Sequence, residues 1–335
     1  MFATILAAWS AVACGRRASD AELRGWTDEV SREEERRRTT TTTTEVAQWT
    51  LAVRGNVDKA DYAWPQIEKM ATTHVITSSP SHTSDVKALV DYRGIRIGEL
   101  LDTLHAKESD GPGGKELTFI AADGFIAARP LDMWRRTPVV LAVEQDGVAL
   151  VKKTGGPILE VPPHTSHPET FKVLPEGGAF YVTTLIIGTE SLALKVGAKV
   201  LGAKELDTLE RHSVEGKVGF RFRWPSSTTQ VHGPRLRDVI GLGGLMLRPK
   251  DEIHVRRKPR SETAAREITK LQASEIFECD VLLGTHWGPD KAMIPAGMGG
   301  PAVVAFPSSC PNANAGQAWP VFVESIEIVP KGDAP

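Results

Sequence analysis

From residue 45 onward, stretches of alternating apolar and polar residues are followed by stretches with helical spacing. WTLAVRGNV (49–57) alternates as a half-buried strand does and ends at a Gly-Asn turn signal. WPQIEKMA (64–71) and IGELLDTL (97–104) repeat apolar residues three and four positions apart, which is typical of an amphipathic helix. Short strands therefore alternate with short helices in this part of the chain.

The same order of patterns occurs a second time further along the chain. The second series consists of LALKVGAKV (192–200), which predicts a strand pair, AKELDTLERH (203–212), which predicts a helix, and LRDVIGL (236–242), which predicts a helix after a glycine. Leu192 follows Leu51 by 141 residues, and later landmarks drift by only a few positions from this spacing. We therefore predict two tandem copies of one module, at residues 45–189 and 190–330.

The N-terminal residues differ in composition from the rest. Residues 1–14 form an apolar run too short to span a membrane but suited to a secretory signal, and the run ends at Cys14. This end resembles the lipidation site of bacterial lipoproteins; the alternative is an ordinary cleaved signal with an incidental cysteine. Residues 15–44 lack apolar periodicity and predict a disordered spacer. We expect an exported protein of the periplasm or cell envelope that contacts a membrane only through a lipid on Cys14.

The composition limits the classes of partner and of metal site. The formal net charge is -2, so the chain has no excess of positive charge to neutralise phosphates, and we do not expect nucleic acid binding. Only Cys279 and Cys310 accompany Cys14, and their spacing is not that of a zinc site. The sequence leaves open whether Cys279 and Cys310 form a disulfide.

Several short motifs follow one another in a fixed order between residues 92 and 188. They are YRGIRIGELL, FIAADGFIAARP, VVLAVEQDGVAL, GGPILEVPP and the closing strand YVTTLIIG. In this order they resemble the molybdopterin-binding domain of the sulfite oxidase superfamily, in particular its short secreted members. The resemblance covers residues 45–189 well and residues 190–330 more weakly. It implies an α+β fold with mixed, twisted sheets and a cleft that, in catalytic relatives, holds a pterin bound to molybdenum.

Catalytic members of this superfamily hold molybdenum through a cysteine thiolate, placed shortly before the glycine that opens the second helix. The corresponding stretch here, HVITSSPSHTSDVKALVDYRG (74–94), contains serines but no cysteine, and the second copy lacks one as well. A serine hydroxyl is a hard and mostly protonated ligand at neutral pH, whereas a thiolate is soft. The resemblance therefore leaves molybdopterin as the candidate cofactor, and we expect neither molybdenum nor a metal-ligating residue.

The resemblance also places candidate cofactor contacts in two regions of the first copy. These candidates are His74, Ser78, Ser79, His82 and Tyr92 around the serine-rich stretch, and Asp123, Gly124 and Phe125 in the DGF motif. The alternative for the DGF motif is purely structural, because an Asp-Gly step between apolar stretches is a common tight-turn signal. His164 and His167 lie among prolines, so we expect solvent-exposed loop histidines there rather than a zinc site.

Two functions follow from this pattern, and the sequence does not decide whether the protein is an enzyme. The leading hypothesis is a noncatalytic binding or scaffolding protein of the envelope, whose partner is a small polar ligand or an envelope protein. The alternative is a molybdopterin-dependent oxidoreductase of the sulfite oxidase superfamily. In that alternative Ser79, or no protein group, replaces the missing thiolate.

Overall fold

The computed structural model describes the following parts of the chain: residues 46–78, 89–109, 113–174, 178–218, 223–258, 268–310 and 319–331. The predicted signal segment, Cys14 and the spacer lie outside the described residues. The chain divides into two compact units, Met1–Gln48 and Trp49–Pro335. Within the larger unit, residues 49–189 are called the first half and residues 190–331 the second half.

The first half consists of short strands and short helices. Its strands are β1 (Thr50–Gly55), β2 (Ala60–Ala63), β3 (Thr73–Ser78), β4 (Leu89–Arg96), β5 (Glu116–Ala121), β6 (Ile126–Pro130), β7 (Val140–Gln145), β8 (Val148–Ala149), β9 (Leu159–Val161) and β10 (Val182–Ile187). Its helices are α1 (Trp64–Met70), α2 (Ile97–Thr103), α3 (Leu131–Arg136) and α4 (Thr170–Val173). Helix α1 begins where Pro65 stands in its first turn and the Gln66 side chain accepts a 2.9 Å hydrogen bond from the Ala63 N–H.

Two sheets build the first half. The first has the strand order β2-β1-β10-β5-β6 and is mixed, because β1 and β10 are parallel whereas the other neighbours are antiparallel. The second has the order β3-β4-β7-β8, and β9 also pairs with β7. Mixed sheets with short helices confirm the predicted α+β class. The parallel contact places the beginning of the half beside its end.

The second half contains a second series of such elements. Its strands are β11 (Leu194–Val196), β12 (Lys199–Leu201), β13 (Arg211–Gly216), β14 (Thr229–Pro234), β15 (Glu252–Arg257), β16 (Ile268–Gln272), β17 (Leu282–Gly284), β18 (His286–Trp287), β19 (Ala292–Met293), β20 (Val303–Ala305) and β21 (Val323–Val329). Its helices are α5 (Ala203–Leu206), α6 (Leu236–Leu242) and α7 (Ala273–Glu278). In the described parts of the chain, every helix is too short or too polar to cross a bilayer.

The helix predicted over residues 203–212 is wrong in its second part. Helix α5 ends at Leu206, and Arg211 already begins β13. All of β13 pairs with β14, from Arg211 opposite Pro234 to Gly216 opposite Thr229. Pairing with a distant strand therefore outweighs the local helical spacing of the leucines.

The strand order of the second half repeats that of the first. The sheet β12-β11-β21-β15-β16 corresponds to β2-β1-β10-β5-β6 and includes the matching parallel contact, between β11 and β21. The other sheet of the first half corresponds to two sheets of the second half, β13-β14-β18-β19 and β17-β20. There β17 and β18 together take the place of β7, and the break at Thr285 separates them. The registers correspond too, because Phe119 pairs with Leu185 in the first half and Val255 pairs with Ile326 in the second.

Each half has the same glycine turn ahead of the short strand β9 or β20. Gly155 and Gly299 have φ angles of +89° and +90°, a left-handed conformation that favours glycine. The next glycine in each turn, Gly156 or Gly300, precedes a cis proline. A Cβ on Gly300 would lie 1.9 Å from the Ile294 carbonyl oxygen, so a side chain does not fit there. Backbone geometry thus explains the repeated GGP sequence.

Cys279 and Cys310 form a disulfide in the second half. Cys279 directly follows α7, Cys310 lies in the loop after β20, and their Cα atoms are 5.6 Å apart. Cys310 is buried in the core of this half. The pairing that the sequence left open is therefore present in the fold.

Candidate functional site

His74 and Asp91 form an ion pair on the exposed face of the sheet that contains β3 and β4. The Nδ1 atom of His74 lies 3.1 Å from both carboxylate oxygens of Asp91. Both side chains are exposed, with 57% and 43% of their surfaces accessible. A histidine on a solvent-facing strand can contact a ligand on this face, but its Nδ1 is already engaged by the carboxylate.

The serine-rich stretch is described only at its beginning. Ser78 is the last residue of β3, pairs with Leu89 of β4 and is partly exposed. Ser79 and His82 lie outside the described residues, so their cofactor contacts stay predictions. The described portion of this candidate site is therefore the edge formed by the end of β3 and the start of β4.

Tyr92 lies in the core. Only 1% of its surface is accessible, and it belongs to a buried cluster with Val75, Leu150 and Leu159. It follows Asp91 in β4, so its side chain points to the opposite face of the sheet. A ligand bound beside His74 and Asp91 would be separated from the Tyr92 ring by the sheet itself.

The DGF motif forms the turn between β5 and β6, on the other sheet of the first half. A carboxylate oxygen of Asp123 accepts a 2.9 Å hydrogen bond from the Phe125 N–H, and Gly124 has a φ of +90°. These are the features of a tight turn stabilised by its own aspartate. Phe125 is 47% exposed, so its ring is accessible to a ligand or a partner. The two groups of predicted contacts thus lie on different sheets.

The expectation that His164 is solvent-exposed is wrong. It is 5% exposed, its ring stacks on Phe171 with centroids 3.9 Å apart, and its Nδ1 lies 2.7 Å from the Thr170 hydroxyl oxygen. Because that hydroxyl already donates to the His167 carbonyl, His164 Nδ1–H is the donor to Thr170. Burial lowers the pKa of His164. The helical turn of α4 folds back over the loop, which the proline-rich sequence did not reveal.

The thiols of the folded unit do not suit molybdenum. Both cysteines found between residues 49 and 335 are joined in the Cys279–Cys310 disulfide, so neither supplies a thiolate. The described residues also contain no group of three or more His, Cys, Asp or Glu side chains that could hold a metal ion. These two cysteines therefore offer no thiolate ligand for a metal.

The two halves differ at one buried position near the end of β3, on the face of the sheet opposite to His74 and Asp91. In the first half this position is Thr77, which is fully buried and whose hydroxyl has no hydrogen-bond partner. In the second half it is Gly216, where a Cβ would lie 2.3 Å from Cζ2 of Trp319. Trp319 lies four residues before the first residue of β21. The residue four positions before β10 in the first half is Gly178, which has no side chain. Sequence reasoning missed Thr77, because only its burial distinguishes it from other threonines.

Tryptophans fill this region of the second half. Trp224 packs edge to face with Trp287 and Trp319, with ring centroids 6.1 and 5.9 Å apart. The Trp224 Nε1–H donates a 2.7 Å hydrogen bond to the Met298 carbonyl oxygen. In the first half, Gln145 stands in place of Trp287, because it pairs with Tyr92 as Trp287 pairs with Val231. Among the described residues, the first half therefore has no aromatic ring at the positions of Trp287 and Trp319.

A polar strand contact also differs between the halves. In the first half Arg93 lies opposite Glu144, and its Nε donates a 2.7 Å hydrogen bond to the carboxylate. In the second half the same positions are His232 and His286. The Nε2–H of His232 donates to the Gly288 carbonyl at 2.8 Å, so its Nδ1 accepts the 2.6 Å hydrogen bond from Ser213. Both nitrogens of His232 are engaged in holding strands together.

A small pocket lies beside His286 in the second half. Its volume is about 40 Å³, and its polar lining residues are Asp207, Arg211, Thr285 and His286. Ligand sites for small molecules typically have volumes of roughly 300–1,000 Å³. This pocket has room for a water molecule or a small group, but not for a pterin.

Comparison with protein families agrees with the motifs of the first half. Residues 38–176 match the family model "Oxidoreductase molybdopterin binding domain". Most of the first half is therefore similar to the domain that this model describes. The comparison with curated proteins found no match.

Among solved structures, the chain matches the sulfane dehydrogenase SoxCD from Paracoccus pantotrophus at 14% sequence identity. The match covers 77% of this chain and 62% of the SoxCD chain, with a TM-score of 0.30. This chain thus spans less than two thirds of the length of that protein. The sequence identity and the TM-score are too low to assign any property of the dehydrogenase to this chain.

Proposed function

We propose that the first half binds a small polar ligand of the pterin class without molybdenum, and that the protein acts as a noncatalytic binding or scaffolding protein. The observation that carries this proposal is the difference between Thr77 and Gly216. A buried hydroxyl without a partner costs free energy unless a bound group completes its hydrogen bond. In the second half the glycine and Trp319 remove that need, and the region is filled by protein.

The donor set is the second support for binding without a metal. The family of the matched domain is named for an oxidoreductase, but both thiols of the folded unit are held in one disulfide. A pterin carries several hydrogen-bonding groups and can be bound by hydroxyl and amide groups alone. We therefore infer no redox step for this chain.

We further propose that the two halves arose by duplication of one module. The repeated strand orders, the matching registers and the two GGP turns support this proposal. It accounts for a second half that has the same architecture but a filled region in place of a ligand site. The function of the second half would then be structural.

The ligand proposal is tested on the full chain purified from a host that makes molybdopterin. We expect pterin to be released on denaturation, detected by its fluorescence after oxidation, with molybdenum far below one atom per chain. A preparation free of pterin, whose melting temperature a stable 6-substituted pterin does not raise, would overturn the proposal, since binding to the native state must stabilise it.

Thr77 provides a sharper test of where the ligand lies. Thr77→Val keeps the shape of the side chain but removes the hydroxyl, so it should abolish most of the thermal shift caused by the pterin. The matched control is Thr118→Val, since Thr118 is also fully buried with an unpartnered hydroxyl but lies in β5 on the other sheet. Equal shifts in both variants would place the ligand elsewhere.

The second candidate is a molybdopterin-dependent oxidoreductase, favoured by the family match over residues 38–176. It predicts stoichiometric molybdenum in the same preparation, and loss of the metal in Ser79→Ala. Stoichiometric molybdenum would therefore replace the first proposal with this one.

Export to an oxidising compartment is also part of the proposal. The disulfide supports it, because disulfides persist in secreted and periplasmic proteins and are rare in the cytosol of most organisms. The lipid anchor on Cys14 and an envelope protein as partner stay predictions. Mass measurement of the mature N-terminal peptide tests the anchor.

A further inference from the structure

The two halves meet through two different surfaces. The turn Ala296–Met298 of the second half lies against β5 and β6 of the first half. Its Ala296 N–H donates a 3.3 Å hydrogen bond to the Gly188 carbonyl. A Cβ on Gly297 would lie 3.0 Å from the Cβ of Ala128 in β6, so a side chain at this position would require the two surfaces to move slightly apart. This turn is the docking turn of the second half.

The surface that receives the docking turn is apolar. Ile120 and Ile186 of the first half are 6% and 0% exposed and belong to the same buried cluster as the core of the second half. Ile126 packs against that cluster as well. An ion pair between Arg223 and Glu116 lies at its side. These residues form the receiving face of the first half.

The contact has no symmetric counterpart. In the repeated fold, the equivalent of the docking turn is Lys152–Thr154, which precedes Gly155 as Ala296–Met298 precedes Gly299. Lys152, Lys153 and Thr154 are exposed. The interface is therefore head to tail, with one docking turn and one receiving face left unused. Repeated between molecules, a head-to-tail contact of this kind builds rings or open filaments.

The unused receiving face of the second half is charged where the used one is apolar. The pair Phe119 and Leu185 of the first half corresponds to Val255 and Ile326 of the second. One residue further along each strand, Ile120 corresponds to Arg256, and Ile186 corresponds to Glu327. Arg256 and Glu327 form an ion pair at 2.9 Å. Ala128 corresponds by register to Lys270, whose side chain is 62% exposed.

Part of the apolar surface persists on this unused face. Ile268, which corresponds to Ile126, is 41% exposed, and Val329, which corresponds to Gly188, is 39% exposed. The backbone that accepts the docking turn in the first half is also repeated. The unused face therefore keeps the strand geometry of a receiving face and differs mainly in its charges.

We propose that Lys152 and Lys153 on one end, and Arg256, Lys270 and Glu327 on the other, prevent a second copy of this chain from docking head to tail. Docking would bury Lys152 and Lys153, which have no acidic partner among the described residues, beside Lys270. It would also remove the ion pairs Arg256–Glu327 and Lys270–Glu252 from water. Burying charges without matched partners is costly, and like charges across an interface repel. The inference rests on the repeated fold and is independent of the proposed ligand.

The experiment uses two variants of the full chain. The front variant removes the charges of the unused docking turn, and the rear variant removes those of the unused receiving face. The front variant is Lys152→Ala with Lys153→Gly, which copies Ala296 and Gly297. The rear variant is Arg256→Ile with Lys270→Ala and Glu327→Ile, which copies Ile120, Ala128 and Ile186. In sedimentation velocity at micromolar concentration, each variant alone should be monomeric like the natural chain. Their equimolar mixture should sediment as a 1:1 dimer, and the combined variant should form larger assemblies that grow with concentration.

Matched controls separate this effect from a general loss of charge. Lys172→Ala with Lys204→Gly replaces the front variant, and Arg136→Ile, Lys217→Ala and Asp132→Ile replace the rear variant; all five residues are exposed. A mixture of the front and rear variants that stays monomeric would overturn the proposal. So would a rear variant that associates by itself, or a natural chain that already forms filaments. If the rear variant does not fold, Arg256→Gln with Lys270→Ala and Glu327→Gln is used, and the same outcomes apply.

Discussion

The indole Nε1–H of Trp134 in α3 donates a 2.8 Å hydrogen bond to Oε1 of Glu160 in β9, inside the core of the first half. Glu160 is fully buried, and its carboxylate also accepts hydrogen bonds from Arg129 at 3.2 and 3.3 Å. The Ala179 N–H donates a further hydrogen bond, at 2.9 Å, to Oε2. Both oxygens are thus satisfied, as a buried carboxylate requires.

The second half has apolar residues at the positions that this buried polar group occupies in the first half. By register, Leu271, Ile276 and Val304 stand in place of Arg129, Trp134 and Glu160, and they are 0%, 2% and 0% exposed. The Glu160 N–H donates to the Ala179 carbonyl, and the Val304 N–H donates to the Pro320 carbonyl in the same way. Pro320 therefore takes the place of Ala179, and it has no N–H to donate. The carboxylate and its backbone donor are therefore absent together.

Removing Glu160 alone should destabilise the protein strongly. Glu160→Val leaves the guanidinium of Arg129 buried without its partner, which typically costs about 3–5 kcal/mol. Arg129→Leu with Glu160→Val removes the whole ion pair and should lose less stability than the single variant. Urea unfolding of the two variants and the natural chain measures this order. A double variant less stable than Glu160→Val would contradict the account.

Thr77→Val should stabilise the ligand-free protein. The buried hydroxyl has no partner, so its replacement by a methyl group removes a desolvation penalty of about 1 kcal/mol. Thr183→Val should instead lower the free energy of unfolding by about 1 kcal/mol, because the buried Thr183 hydroxyl donates a 3.1 Å hydrogen bond to the Ile120 carbonyl. Thermal unfolding in the absence of pterin checks both signs; a loss of stability in Thr77→Val would show that its hydroxyl is satisfied.

Acid should weaken the fold partly through His164. Burial lowers its pKa below the ordinary 6.5, so the unfolded chain takes up a proton before the folded chain does. This contribution is fully present above pH 6.5 and is lost as the pH falls through the folded pKa. His164→Phe removes it, so the variant should lose less stability than the natural chain between pH 7 and 5. Burial and Arg211 lower the pKa of His286 as well, so His164→Phe with His286→Asn should flatten the profile further.

Loss of the disulfide should destabilise the second half. Cys279 and Cys310 are 31 residues apart, and a disulfide closing a loop of this size typically contributes about 2–4 kcal/mol. Cys279→Ser with Cys310→Ser should lower the free energy of unfolding by this amount. A thiol reductant should destabilise the natural chain but leave the double variant unchanged, and equal sensitivity in both would contradict the prediction.

Part of the site could be read from local patterns. The spacing of apolar residues predicted α1, α2 and α6, because a helix is specified by residues three and four positions apart. The DGF and GGP sequences predicted turns, since Gly124, Gly155 and Gly299 all need the left-handed conformation. The count of cysteines already showed that the serine-rich stretch has no thiolate to offer.

Features that depend on distant residues needed the tertiary structure. His164 is buried because α4 folds over it, and α5 ends early because β13 pairs with β14. Likewise, a threonine at position 77 becomes notable only because its hydroxyl is buried without a partner.

By itself, the sequence determined the order of short strands and helices, their repetition at nearly constant spacing, and the absence of a cysteine between His74 and Gly94. The tertiary structure alone decided which cysteines pair, which half is filled by tryptophans, and which faces join the halves. The physical reason is that turns and helical periodicity are set by near neighbours in the chain. Burial, hydrogen-bond partners and charge at an interface are instead set by residues from distant parts of the chain. Trp224 and Met298 are 74 positions apart, and Glu116 and Arg223 are 107 positions apart.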